Sequence, residues 1–176
     1  MSRSIAALLL LLPLFAAAEV PQPPFRIEAQ PHELGFVLRD ARGQPVELPK
    51  LVLESESEPP LPQAAVGDAA LTPDRRTAGW LVYYDFCCTS YPIPRELVLY
   101  RDGKIIWRFG ADGLPIFAWR FADQGASVEI HRDTLHGNFS PQYERLHVAS
   151  GRVLKHFDGN ASPTAPAWVR KFEAAR

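Results

Sequence analysis

Glu96-Leu97-Val98-Leu99-Tyr100-Arg101-Asp102-Gly103-Lys104-Ile105-Ile106-Trp107-Arg108-Phe109 is the stretch that decides the fold. Two apolar runs, rich in β-branched and aromatic residues, flank Arg101-Asp102-Gly103. Asp-Gly is a strong hairpin signal, because both residues tolerate the positive φ of a tight turn. The pattern recurs downstream. Ile116 to Phe121 and Ala126 to Arg132 flank Ala122-Asp123-Gln124-Gly125, and Tyr143 to Val148 and Arg152 to Phe157 flank Ala149-Ser150-Gly151. Each turn has a glycine late, where a left-handed backbone is needed. Three hairpins with short connections predict an antiparallel meander in one continuous sheet from Glu96 to Phe157.

Upstream, Trp80-Leu81-Val82-Tyr83-Tyr84-Asp85-Phe86 is apolar on both faces, as a central strand is. Gly35 to Arg39 and Val46 to Leu53 read as two short strands around the turn Asp40 to Pro45, with Pro49 placing the second at an edge. Glu54 to Gly79 holds three glutamates, several prolines and a run of small residues. It reads as a long Pro/Glu-rich surface loop with room for a helical turn at Pro62 to Leu71. At the end of the chain, Ser162 or Thr164 can cap a helix, Pro166 suits its first turn, and Trp168, Val169 and Phe172 lie at i, i+1 and i+4, with Trp168 and Phe172 expected to dock it on the sheet. The fold class is therefore mainly β: an antiparallel meander of hairpins forming a sandwich or open barrel, with a short C-terminal helix.

The 116–159 stretch also carries a recognisable spacing: an apolar strand ending in Phe121, then Gly125, Val128-Glu129-Ile130, Tyr143 to Val148, Gly151 and Leu154. In this it resembles one blade of a bacterial β-propeller-type repeat. The resemblance implies a four-stranded sheet and carries over no functional residue.

The beginning of the chain addresses it for export. Arg3, the apolar run Ile5 to Phe15, and Ala16-Ala17-Ala18 have the form of a signal peptide, residues 1–18, cleaved before Glu19. Residues 19–176 then form a single β-rich domain. No later apolar segment reaches the ~20 residues of a membrane helix, so the expected product is a soluble periplasmic or secreted protein with no membrane span after processing. The chain has 19 Lys+Arg against 20 Asp+Glu, a net charge of −1, and no basic patch. That balance argues against nucleic acid as a partner.

An oxidising compartment draws attention to Cys87 and Cys88, the chain's 2 cysteines, side by side after the central strand. Adjacent Cα atoms lie ~3.8 Å apart, whereas disulfides favour ~4.4–6.8 Å. A bond between them needs a distorted turn, is strained, and adds little loop entropy. Four readings stay open: a strained disulfide shaping a recognition loop, two unpaired thiols of which one or both pack as small hydrophobes beside Phe86, a bridge to another chain, and a site for a soft metal such as Cu(I) completed by a histidine. Pro92 and Pro94 stiffen the following loop, with Tyr91 as its contact residue.

Other chemistry is sparse. Asp133 and His136 share one loop and could support hydrolysis. His147 and His156 lie on paired strands as a possible stacking pair, while Tyr83, Tyr84, Trp107 and Trp119 are candidate surface aromatics for which core packing is the plainer role. No nucleophile elbow, phosphate loop or dinucleotide fingerprint occurs. The expectation is a non-enzymatic exported domain, with no cofactor, that binds a protein or cell-envelope component through Cys87, Cys88 and Tyr91. The alternative is a periplasmic thiol or soft-metal handling protein using the same cysteines.

Overall fold

The computed structural model describes residues 24–175, apart from 31–34, 55–58, 88, 111–113 and 137–140. The signal-peptide assignment and Cys88 therefore lie outside the described residues.

Among the described residues, eleven strands and one α-helix follow in chain order: β1 (Arg26–Ala29), β2 (Phe36–Arg39), β3 (Val52–Leu53), β4 (Leu61–Leu71), β5 (Thr77–Tyr84), β6 (Ile93–Arg101), β7 (Lys104–Gly110), β8 (Ile116–Ala122), β9 (Ser127–Arg132), β10 (Gln142–His147), β11 (Val153–Asp158) and α1 (Ala167–Glu173). All strand pairs are antiparallel. They form a β1-β2 pair, a five-stranded sheet in the order β3-β4-β5-β6-β7, and a four-stranded sheet in the order β11-β10-β9-β8. The mainly β class, the sandwich and the short C-terminal helix are as the sequence predicts. No helix among the described residues is long and apolar enough to cross a membrane.

The five-stranded sheet is the middle layer, because β5 and β6 bury both faces. Trp80, Val82, Tyr84, Val98 and Tyr100 point to one side, where they meet Phe25, Phe36, Leu38, Leu51 and Leu53. Leu81, Tyr83, Leu97 and Leu99 point to the other and pack on Ile116, Val128, Ile130, Leu146 and Val148 of the four-stranded sheet. Each fully buried side chain of this size contributes ~1.5–3 kcal/mol of hydrophobic stabilisation.

The hairpins exist where the turn chemistry puts them, but they do not share one sheet. β6 and β7 belong to the middle layer, while β8 to β11 form their own meander facing it. Both sheets have an apolar face to bury, and stacking the two satisfies them together. The meander spans the stretch that resembles a propeller blade, and it packs on the five-stranded sheet instead of on further blades.

Three upstream readings change. The 54–79 loop contains a strand of 11 residues, β4. Bulges after Gln63 and Gly67 break its alternation, and Asp68 has φ 49°. Ala, Gly, Pro and Asp are poor strand formers, so tertiary pairing with β5 overrides propensity here. Pro62 is tolerated at the start, where the partner is only the two-residue β3. The strand expected over Val46 to Leu53 shrinks to Val52–Leu53, since Pro45 and Pro49 remove ladder donors. In its place β2 pairs with β1, a segment that carries no strand signal of its own.

Candidate functional site

The loop between β5 and β6 stands on a deeply buried part of the molecule. All of β5 is buried, as is most of β6. At the base, the Tyr84 hydroxyl donates to Glu96 Oε2 at 2.5 Å, and Arg108 Nη2 of β7 donates to both Glu96 oxygens at 2.9 and 2.8 Å. Arg108 also reaches the Val52 carbonyl at 2.9 Å, which ties β7 toward β3. Burying a carboxylate costs several kcal/mol unless its lone pairs are filled, and three donated hydrogen bonds fill these. Burial first, and the hydrogen bond to Glu96 second, push the Tyr84 phenol well above its ordinary range. Neighbouring Tyr83 is pushed up in the same way, by burial and then by its 2.5 Å hydrogen bond to Asp68.

From this base the chain leaves the sheet. Its register shifts between Val82 and Tyr83, opposite Glu96 and Pro94, so Arg95 is the extra residue of a bulge. The loop is fastened by short local bonds: Thr89 N–H donates to the Phe86 carbonyl at 3.2 Å, and the Thr89 hydroxyl donates to the Tyr91 carbonyl at 2.6 Å. Cys87 sits in an exposed turn. Tyr91 is 62% exposed, the most open of the large hydrophobic side chains among the described residues, although its carbonyl is held by the Thr89 hydroxyl.

The other candidates lie elsewhere. Asp133 is buried and its Oδ1 accepts the Thr134 N–H at 2.7 Å. His136 is exposed three residues on. The two histidines do not face each other: His147 Nδ1 lies 2.9 Å from the Ser150 hydroxyl, while β11 places His156 opposite Glu144 and 2.9 Å from Asp158. Tyr83 and Tyr84 are buried, and Trp107 and Trp119 are half-buried with indole N–H groups bonded to the Val148 and Asp68 carbonyls. They are core residues. Among the described residues no group of three His, Cys, Asp or Glu side chains is placed to hold a metal ion.

Sequence reasoning missed a second polar cluster. On the face of the four-stranded sheet beneath α1, Arg120, Glu129 and Arg145 lie in one cross-strand row. Glu129 is fully buried; it accepts from Arg120 Nε at 2.7 Å and from Arg145 Nη2. Arg120 covers the Phe172 ring at 5.0 Å and Arg145 the Trp168 ring at 5.7 Å. Next to this row, His131 stacks on Tyr143 at 4.6 Å, and the Tyr143 hydroxyl donates to Glu173 at 3.0 Å. The signal was the alternation Val128-Glu129-Ile130 with arginines on both flanking strands.

No family model matches the chain, and no curated protein matches it. The chain is similar to one solved structure, hydrazine synthase of Kuenenia stuttgartiensis, with a TM-score of 0.36 and 13% identity over 85% of this chain and 54% of that one. The chain thus spans about half the length of the structure it matches.

Proposed function

We propose that this is an exported binding module whose β5–β6 loop recognises a protein or cell-envelope component, with Tyr91 as the contact side chain. The carrying observation is an aromatic residue 62% exposed on a loop that is pinned by Thr89 and founded on a buried Tyr-Glu-Arg network. A rigid, amphipathic ring loses little conformational entropy on binding, which is why tyrosines recur as interface anchors. The signal-peptide pattern of residues 1–18 supports a location in the periplasm or outside the cell. Cys87 and Cys88, at the root of the same loop, set its shape through their oxidation state.

The test compares wild type with Tyr91→Ala in a co-purification from a cell-envelope extract. Loss of a defined partner with an unchanged melting temperature supports the reading. Equal recovery by both proteins overturns it.

The exposure of Cys87 favours a second reading, in which the cysteine pair handles thiols or a soft metal such as Cu(I). Thiol titration and metal analysis of the exported protein separate the two. A metal bound in proportion to protein, and lost in the Cys87→Ser, Cys88→Ser variant, would favour the second.

A further inference from the structure

Strand β7 is the outer strand of the five-stranded sheet, so one side of its backbone carries no strand partner among the described residues. Such edges are templates for another strand, and proteins commonly blunt or cover them. The two ends of β7 differ. Near its C-terminal end, Arg108 reaches across to the Val52 carbonyl at 2.9 Å and closes the gap toward β3. At its start the gap is open. A hollow of about 720 Å³ lies between the segment 47–50 and β7, lined by Leu48, Pro49, Lys50, Tyr100, Lys104 and Ile105. On the opposite face of the sheet a hollow of about 410 Å³ is lined by Arg101, Lys104, Ile105, Trp107 and Val148. The two meet at Lys104 and Ile105, the first residues of the edge.

We propose that this open edge takes an extended acidic segment of a partner protein, added as a further strand beside Lys104 to Trp107. An extended peptide projects successive side chains to opposite faces. Here each face offers a hollow with apolar side chains in its lining: Leu48, Pro49 and Tyr100 on one side, Trp107 and Val148 on the other. The charged groups lining the two hollows are Lys50, Arg101 and Lys104 against Glu47 alone. The edge therefore favours an acidic occupant, on a chain whose overall charge is −1. Backbone hydrogen bonds supply affinity in strand addition, and the alternate pockets supply selectivity. This edge lies beside the Asp102-Gly103 turn, at the opposite end of β6 from Tyr91, so it stands independently of the Tyr91 reading.

The experiment pans a phage-displayed library of random peptides on the full chain and synthesises the enriched sequences. Enrichment of extended peptides that carry an apolar residue on each face together with acidic residues is expected, with amide hydrogen exchange slowed on binding in the 104–107 segment of wild-type protein. Lys50→Glu with Lys104→Glu should weaken that binding by about tenfold or more, with affinity falling as salt rises. Tyr91→Ala should leave it unchanged. Absence of enrichment, enriched peptides without acidic residues, protection mapped away from β7, or affinity indifferent to the two charge reversals each overturns the proposal. The exchange measurement uses unaltered protein, so it stands even if a variant folds poorly.

Discussion

The Tyr84 hydroxyl and the Glu96 carboxylate are both buried, so each depends on the other and on Arg108. Replacing Tyr84 with Phe removes the donor while leaving the carboxylate in place. The expected cost is ~1–3 kcal/mol, measured by urea unfolding, because a buried acceptor loses one of its bonds. The same pair sets an alkaline dependence. The folded phenols of Tyr83 and Tyr84 titrate above their ordinary value of 10.0, so folding favours the protonated forms. Their stabilisation is whole below pH 10.0 and is lost as pH rises through the folded values. Wild type should therefore lose stability above that pH, and Tyr84→Phe should lose it less steeply. Identical slopes would mean that Tyr84 does not carry the effect. A second residue-scale prediction concerns Gly151, with φ 65° and a Trp107 ring atom 2.7 Å from where a Cβ would sit. Gly151→Val should cost ~1 kcal/mol or more by thermal unfolding, from backbone strain alone and further from the collision with the ring. The need for glycine in that turn was legible in Ala149-Ser150-Gly151; the ring against it was not, since Trp107 and Gly151 come from different hairpins.

At the scale of elements, α1 shows how little a short helix does alone. It has seven residues and no side-chain cap, so it is marginal without packing. Val169 and Phe172 are buried against Tyr143 and Ala165, whereas Trp168 is only partly covered. The helical spacing pointed to the correct face and to Phe172; it could not show that Val169 goes deeper than Trp168. Phe172→Ala should cost ~3–5 kcal/mol, read as a drop in the unfolding midpoint. Beneath the helix, Glu129→Ala should cost ~1–3 kcal/mol, because Arg120 and Arg145 lose their shared carboxylate while Arg145 keeps Asp123 at 3.2 Å and Arg120 keeps the Lys171 carbonyl. Little change in either variant would show the helix to be loosely seated. The tight turns at Asp102-Gly103 and Gly125 were readable because local chemistry alone makes them. Strand β4 was not, because nothing local in Ala64-Ala65-Val66-Gly67-Asp68 favours extension. Its place is fixed by β5 and by the bonds from Tyr83 and Trp119 to Asp68.

The whole molecule is a stack: a β1-β2 cover, a central five-stranded sheet buried on both faces, and a four-stranded meander with α1 on its far side. Periodicity reported strands and turns faithfully but not their division between sheets, since a hairpin looks the same whether its neighbour lies beside it or across a core. The candidate loop was legible through the unusual Cys87-Cys88 pair and the prolines that follow. What the sequence could not show was the buried support under it, because Tyr84, Glu96 and Arg108 come together only when β5, β6 and β7 pair. We propose that this supported loop, with Tyr91 at its surface, is where the domain meets a partner. The most direct test places a photo-crosslinking amino acid at position 91 in cells exporting the protein, with position 154 on the exposed strand β11 as the control. One discrete adduct at 91 and none at 154 is the predicted result. No adduct at 91, or the same adducts at both positions, would contradict the account.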